Sequence, residues 1–444
     1  MQTDRASLVE LGLLPDDTGA WPLSSLFDHT HARAGHEALK RLLVTPLTSI
    51  AEIEARQALL PKLARALQGV SWRDLHALAQ QVEQGLSSNY VLAPSSRVEV
   101  MAFAMQHRAI VTFAAQLVER VHQLRQLMRP IADQVSGLSG DAAFLALRDG
   151  LAIAMADARG QILSDAVYAG GATRLAACDT LVRGSGTDTE VAYRDQLRVV
   201  IAAVGQLDAW CVLARASASL EGAVPRMVAR DGTLQLEALR HPLLPDGVTN
   251  TVQLGARDRV CFLTGPNMAG KSTVLRAMGL AVYFAHLGLA VPAVSATIPL
   301  VERFVVSIAV RDDLARRESL YLAEVRRVKR VVEAVTRCEA VFAIMDEVFR
   351  GTNIKDATAA TSLLVDGLAA ASVGRFIIAS HLAEVGSARE TLAGVRCLFM
   401  EAEVQGDAIR FSYLLRPGVS DVHLGMRLLD AEGVGGMLRA LISR

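Results

Sequence analysis

Residues 260–280 read VCFLTGPNMAGKSTVLRAMGL, which is a short apolar strand, a glycine-rich turn and the start of a helix. The turn matches GxxxxGK[ST], the pattern of a phosphate-binding P-loop. Its glycines let backbone N–H groups surround phosphates at a helix N-terminus, while Lys271 adds positive charge and the Ser272 hydroxyl binds Mg²⁺. The alternative is a glycine-rich turn with an incidental lysine. The predicted nucleotide-binding residues are Gly265, Pro266, Asn267, Met268, Ala269, Gly270, Lys271, Ser272 and Thr273.

Two further apolar strands end in residues suited to phosphate chemistry. The strand 341–345 is followed by Asp346 and Glu347. We expect Asp346, with Ser272, to hold the metal, and Glu347 to orient or deprotonate the attacking water. The strand 376–379 leads to His381, which is expected at the same sheet edge, near the terminal phosphate or the water, unless it is only structural. Two adjacent acids at a strand end are typical of a hydrolase.

The pattern of the sequence changes near residue 225. Residues 1–225 carry helical periodicity and predict an all-α helical core and lever domain, whereas residues 226–444 alternate strands with helices and predict an α/β P-loop NTPase domain. Apolar residues recur at steps of three and four from Ile110 to Met128, and Pro130 is expected to end that helix. If it begins near residue 97, the helix is about 50 Å long, which suits either a lever or a long packing helix.

The composition limits the class of protein. The 444 residues are 51% hydrophobic and 21% charged, as in a globular protein of two or three domains. Lys+Arg and Asp+Glu both number 46, which excludes a globally basic nucleic-acid binder but not a local basic stripe. Five dispersed cysteines and an N-terminus without a signal-peptide pattern predict a cytoplasmic protein. The uncharged stretch 277–301 contains prolines, so we expect a buried helix and strand there and no membrane partner.

Other segments follow the P-loop in a recognisable order. They are DDL at 312–314, SLYLAE at 319–324, MDEVFRGTN at 345–353 and ASH at 379–381. Together with GPNMAGKST they resemble the ATPase domain of MutS-type DNA mismatch repair proteins. Segments of the N-terminal half also resemble that family's helical core, and LRHPLL at 239–244 resembles its entry into the ATPase domain.

The resemblance implies an ATPase of the ABC superfamily that acts as a homodimer, with ATP and Mg²⁺ as cofactors and with each site completed by the partner protomer. On that basis Ser319 contacts the γ-phosphate bound by the opposite protomer, 350–352 lies near the protomer boundary, and 413–429 is a C-terminal dimerisation segment. Arg316 and Arg317 replace a small Ser-Gly pair of the family. The chain starts almost at the helical core, which indicates a short member without the mismatch-recognition and connector domains.

Two hypotheses for function follow. The first is an ATP-driven switch that acts on DNA, or with a DNA-repair protein, in repair or recombination. The second is an ATP-gated scaffold that binds a protein and no nucleic acid, which the zero net charge favours. The basic cluster 326–330 either contacts phosphates or is a solvated helix face balanced by Glu324 and Glu333. A small-molecule kinase is a third, weaker hypothesis.

Overall fold

A computed structural model describes residues 1–27, 29–87, 107–156, 166–167, 174, 188–266, 268–308, 320–405, 408–420 and 433–442. The helices, in chain order, are α1 (Arg5–Glu10), α2 (Ser24–Phe27), α3 (Arg33–Val44), α4 (Ile50–Ala66), α5 (Trp72–Leu86), α6 (Arg108–Ser136), α7 (Ala142–Ala156), α8 (Asp188–Ser219), α9 (Lys271–His286), α10 (Leu320–Thr336), α11 (Ile354–Ala369), α12 (Ala383–Ser387) and α13 (Val434–Ile442). The strands are β1 (Gln2–Thr3), β2 (Arg226–Val228), β3 (Leu234–Leu239), β4 (Asn250–Leu254), β5 (Val260–Thr264), β6 (Ser295–Pro299), β7 (Arg303–Ser307), β8 (Val341–Asp346), β9 (Arg375–Ala379), β10 (Val395–Gln405) and β11 (Ala408–Pro417).

The chain divides into two compact units. The helical unit consists of Leu26–Val44 and Ala55–Ala216, and all of its described regular elements are helices. The sheet unit consists of Met1–Ser25, Thr45–Glu54 and Ser217–Arg444, and it contains every described strand. The predicted fold class, a helical region followed by an α/β domain, is confirmed.

The helical unit is built on the apolar stripe of α6. Leu117, Val121, Leu124 and Met128 are buried, as expected for positions three and four residues apart on one helix face. The described helix has 29 residues and is therefore about 44 Å long; residues 88–106, where its predicted start falls, lie outside the described residues. Neither the lever nor the packing interpretation is decided by its length.

The prediction that Pro130 ends this helix is wrong. The helix α6 continues through Pro130 to Ser136. A proline inside a helix removes one N–H and crowds the preceding turn, at a cost of about 3 kcal/mol. Pro130 faces solvent, where water can satisfy the carbonyl that it leaves without a partner, while Ile131 and Val135 beyond it are buried and extend the apolar stripe. The burial beyond the proline offsets its cost.

A buried polar network also holds the helical unit together. Asp208 on α8 accepts hydrogen bonds from the backbone N–H of His31 (3.0 Å) and lies 2.9 Å from Nε2 of His76. Burial raises the pKa of Asp208, but the bonds from His76 and His31 outweigh it and lower that pKa overall. A Cβ on Gly35 would lie 2.7 Å from the Asp208 carboxylate, so only glycine fits there.

The sheet unit contains two sheets. In the larger one the strand order is β1-β7-β8-β9-β5-β10-β11, and all neighbours are parallel except β10 and β11. The smaller has the order β2-β6-β3-β4. Strands β5 and β9 are buried along their whole length, which is typical of parallel strands covered on both faces. Because β5, β8 and β9 are parallel, the residues that follow them meet at one edge.

The uncharged stretch 277–301 forms the end of α9, a loop and β6, and is mostly buried, as predicted. His286, the last residue of α9, is fully buried. Its Nδ1 donates to the carbonyl oxygen of Val282 (2.8 Å), and its Nε2 accepts from the backbone N–H of Val301 (2.9 Å). Among the described residues, one helix, Arg194–Ser219, is long and apolar enough to cross a membrane, and 72% of its most apolar window is buried.

The N-terminal segment completes the larger sheet. Strand β1 pairs in parallel with the edge strand β7, and the Ser7 hydroxyl accepts a hydrogen bond from the Val306 N–H (2.9 Å). Glu10, at the end of α1, accepts from Arg327 of α10 (2.9 Å) and from the N–H of Ile308. Both charged side chains of that pair are only 11% exposed. The segment therefore binds the sheet by backbone pairing and by a largely buried ion pair.

Candidate functional site

The P-loop lies between β5 and α9 in a conformation that favours glycine. Gly265 and Gly270 have φ angles of 134° and 96°. Gly270 directly precedes α9, and no side chain caps the N-terminus of that helix. Its first backbone N–H groups are therefore oriented to bind an anion. Asn267 lies outside the described residues.

Lys271 is the first residue of α9, and its ammonium group lies against the P-loop. Its Nζ donates to the carbonyl oxygens of Gly265 (2.7 Å) and Pro266 (3.1 Å). Burial lowers the pKa of Lys271, and the neighbouring Asp346 and Glu347 partly restore it. A charge removed from water in this way attracts a phosphate more strongly than an exposed lysine does.

Ser272 and Asp346 contact each other across the edge of the sheet. The Ser272 hydroxyl donates to Oδ2 of Asp346 (2.9 Å), whereas the buried Oδ1 of Asp346 has no hydrogen-bond partner. Burial raises the pKa of Asp346, and the bond from Ser272 opposes that shift. A hydroxyl and a carboxylate with a spare buried oxygen are hard donors of the kind that Mg²⁺ prefers. The residues present therefore fit a magnesium ion.

Glu347 follows Asp346 in a turn with an unusual backbone. Glu347 and Phe349 have φ angles of 49° and 65°, in the left-handed region that non-glycine residues rarely adopt. The Glu347 N–H donates to the carbonyl oxygen of Ala379 (2.9 Å), which ties the start of the turn to the end of β9. Its carboxylate is partly exposed and lies 3.8 Å from Nη1 of Arg350. Both Glu347 and Asp346 line the cavity described below, and the charge of Glu347 adds to the rise in the pKa of Asp346.

His381 lies two residues beyond the end of β9, at the sheet edge that carries Asp346 and Glu347. Its side chain is exposed. The preceding Ser380 donates its N–H to the carbonyl oxygen of Leu263 in β5, just before the P-loop (3.0 Å). The predicted sheet edge thus brings together the residues that follow β5, β8 and β9.

One cavity of about 590 Å³ is lined by the P-loop, Lys271, Ser272, Asp346 and Glu347. Another of its lining residues is Tyr413 of β11, for which the sequence predicted only a place in the dimerisation segment 413–429. Tyr413 is 46% exposed, and its ring would lie 3.2 Å from a Cβ placed on Gly270. An aromatic face beside a P-loop is suited to stack on a base.

Two more lining residues come from segments ahead of the P-loop. Asn250 of β4 is buried, donates to the Tyr413 carbonyl oxygen (3.0 Å) and so holds Tyr413 at its φ of 58°. Burial, with the nearby Arg276, lowers the pKa of His241 to about 4. The sequence could have pointed to His241, because it belongs to the motif LRHPLL. Asn250 belongs to no motif, so no sequence signal indicates it.

The structure corrects one interpretation of α10. Glu324 is not part of a solvated face, because it is only 4% exposed and faces Arg350. Glu333 does pair with Lys329, at 3.7 Å, whereas Arg327 is bound by Glu10 and by the carbonyl oxygen of Val306. Arg327 and Lys329, two of the four basic residues of the cluster, thus have an acidic or carbonyl partner in the part of the chain that the structure describes. Ser319, the residue expected to act on the partner protomer's nucleotide, lies outside the described residues, as do the other residues of 309–319.

Residues 421–429 of the predicted dimerisation segment 413–429 also lie outside the described residues, which stop at Ser420 and resume at 433. Within the described part, the Ser420 N–H donates to Oγ1 of Thr264, the last residue of β5 (3.0 Å). The Gly418 N–H donates to the carbonyl oxygen of Cys397 (3.0 Å). These bonds fasten the chain after β11 to the base of the P-loop.

Comparison with known proteins agrees with this geometry. Residues 261–437 match the family model described as MutS domain V. The protein named DNA mismatch repair protein MutS from Desulfovibrio desulfuricans is 33% identical over 245 residues, which are 53% of this chain and 25% of that protein. The protein of the same name from Solibacter usitatus is 31% identical over 253 residues, 55% of this chain and 29% of that protein. The chain thus aligns with less than a third of the length of these relatives.

Proposed function

We propose that this protein hydrolyses ATP with Mg²⁺ and works as a homodimeric switch on DNA, because residues 261–437 match the family model described as MutS domain V. The observation that carries the proposal is the Ser272–Asp346 hydrogen bond with its spare buried carboxylate oxygen. It lies in the same cavity as Lys271 and Glu347. A phosphate group, a metal and a water molecule all have suitable partners there.

Each site residue then has a distinct task. Lys271 and the N–H groups of the P-loop bind the phosphates, and Tyr413 stacks on the base. Ser272 and Asp346 hold Mg²⁺, which when bound supplies positive charge to the phosphate oxygens. Glu347 orients or deprotonates the attacking water. In the same proposal His381 contacts the terminal phosphate or the water, and Ser319 completes the site of the partner protomer.

The hydrolysis proposal is tested with two substitutions and a fluorescent ATP analogue. Lys271→Ala should lower affinity for the analogue at least tenfold, because it removes the phosphate-binding charge. Glu347→Gln should leave affinity unchanged and abolish turnover, because a neutral amide cannot accept the proton. Tight binding by Lys271→Ala would refute the P-loop assignment, and full turnover by Glu347→Gln would refute its role at the water.

The exposed face of α13 supports dimerisation. Its apolar side chains follow the spacing i, i+3, i+4, i+7, i+8 and form one exposed stripe, consisting of Val434, Met437, Leu438, Leu441 and Ile442. Light scattering should therefore give twice the mass of the chain for the wild type. Leu441→Glu should shift the protein towards the monomer, and an unchanged dimer would exclude this stripe as the interface.

The action on DNA rests on the names of the relatives, both called DNA mismatch repair proteins. A second function, the ATP-gated scaffold that binds a protein partner, is favoured by a specific observation: Arg327 and Lys329 of the basic cluster are held by acids of the same chain. A titration of duplex, branched and single-stranded DNA at several salt concentrations separates the two. A DNA-acting switch predicts affinity that falls steeply with salt and an ATPase rate that responds to DNA. The scaffold predicts no binding at any salt concentration.

A further inference from the structure

The turn from Glu347 to Gly351 is held by a buried acid on a different element. Glu324 of α10 is only 4% exposed, and its Oε1 lies 3.7 Å from Nε of Arg350. The same guanidinium reaches Glu347, at 3.8 Å from Nη1 to Oε2. Arg350 thus bridges Glu347, the acid proposed to act on water, and Glu324, an acid that is almost fully buried.

Glu324 contacts the turn through other groups besides Arg350. Burial raises the pKa of Glu324 overall, and the nearby Glu347 adds to that rise, while Arg350 and the backbone N–H groups of Phe349 and Gly351 oppose it. The other carboxylate oxygen, Oε2, is buried without a hydrogen-bond partner. A carboxylate kept out of water at this cost indicates a task beyond packing, because an apolar side chain would fill the space more cheaply.

Packing against α10 fixes the turn in place. The rings of Tyr321 and Phe349 are 6.2 Å apart between centroids, and Phe349 is buried. A Cβ on Gly351 would lie 2.9 Å from both the Cβ and the backbone N of Tyr321. The left-handed backbone at Glu347 and Phe349 persists only where the surroundings impose it, and α10 provides those surroundings.

From these contacts we propose that Glu324 is a positioning residue for ATP hydrolysis. Its buried carboxylate holds Arg350 and the Glu347–Gly351 turn, and so sets the orientation in which Glu347 meets the attacking water. This inference rests on the proposed hydrolysis of ATP by Glu347. It assigns Glu324 no contact with nucleotide, and its effect is therefore on turnover rather than on binding.

The test compares Glu324→Gln with Glu333→Gln, a control on the exposed side of the same helix. Glu324→Gln keeps the shape and removes the charge, so kcat should fall at least tenfold, while the Kd for a fluorescent ATP analogue should stay within threefold of the wild-type value. Glu324→Asp retains the charge on a shorter side chain and should recover part of kcat. Glu333→Gln should match the wild type in both quantities.

A second substitution covers the case in which Glu324→Gln fails to fold, as judged by circular dichroism. Arg350 is 40% exposed, so Arg350→Gln should fold and should lower kcat with unchanged Kd. Where both variants fold, the double variant should lose less turnover than the two single losses combined, because both residues hold the same turn.

The inference is overturned if Glu324→Gln, or Arg350→Gln in its place, keeps kcat within twofold of the wild type. It is also overturned if the loss of kcat comes with an equal loss of ATP affinity and a lower melting temperature, which would make Glu324 merely structural. Absence of turnover in the wild type with Mg²⁺ would reject the proposed function itself. Turnover that Glu347→Gln abolishes and Glu324→Gln preserves would reject the positioning role alone.

Discussion

Acidification should destabilise the sheet unit through His286. The buried ring must be neutral, because Nε2 accepts the Val301 N–H while Nδ1 donates to Val282. A second ring proton would point at the Val301 N–H and break that bond. Burial accordingly lowers the pKa of His286 to about 4, against about 6.5 for a histidine in an unfolded chain.

The sign and size of the effect follow from these two pKa values. Between about pH 6.5 and pH 4 the unfolded chain binds a proton at His286 that the folded chain does not, so the free energy of unfolding falls as the pH falls. Above about pH 6.5 the contribution of His286 is fully present. From about pH 7 to pH 4.5 the loss amounts to about 2 kcal/mol for this one group.

The assay is urea unfolding, followed by far-ultraviolet circular dichroism, of the wild type and His286→Gln at both pH values. The glutamine does not titrate, so its variant should be less stable than the wild type at about pH 7, by about 1–2 kcal/mol, and that deficit should shrink or reverse at about pH 4.5. His381→Gln, at an exposed histidine, controls for the substitution and should show a smaller change. The reasoning would be refuted if the free energies of unfolding of the wild type and His286→Gln differed by the same amount at both pH values.

Three other substitutions test separate parts of the structure. Tyr413→Ala should weaken binding of ATP by about tenfold, which corresponds to about 1.4 kcal/mol of stacking, while Tyr413→Phe should bind ATP as the wild type does. If titration calorimetry gave equal affinities for Tyr413→Ala and the wild type, the ring would be excluded from the base site. Glu10→Gln should lower the free energy of unfolding by about 1–3 kcal/mol, because it leaves the largely buried Arg327 without its acidic partner. Urea unfolding should show no such change for Asp17→Asn in the exposed Arg5–Asp17 pair. Gly351→Ala should reduce the rate of ATP hydrolysis more than the affinity for ATP, because the added Cβ collides with Tyr321. Gly367→Ala, where no atom lies near the added Cβ, should change neither quantity in the same assay.

The parts of the fold that the sequence predicts are those with local signals. Each of the strands β5, β8 and β9 is an apolar run that ends at a glycine or a polar residue, and the P-loop glycines mark the turn before α9. Because parallel strands place their carboxyl ends at one edge, the proximity of Ser272 and Asp346 also follows from sequence order. These predictions need no knowledge of distant contacts.

What the sequence could not supply depends on tertiary contacts. Pro130 is a helix breaker by its own chemistry, and only burial of the residues beyond it keeps α6 continuous. Glu324 stands among charged residues and is indistinguishable from a solvated acid until Arg350 is placed beside it. Tyr413 reaches the P-loop because β11 turns back antiparallel to β10, and no local pattern indicates where that strand lies.

The pairing of β1 with β7 has a consequence for biosynthesis. The Ser7–Val306 hydrogen bond joins residues 299 positions apart, so the first strand leaves the ribosome long before its neighbour exists. At about 5–20 residues per second the delay is about 15–60 s, during which Leu8 and Leu11 have no core to enter. The whole helical unit can form in that interval, whereas the sheet closes only after its later strands emerge. The apolar side chains of α1 thus lack their final packing partners until translation has passed residue 307.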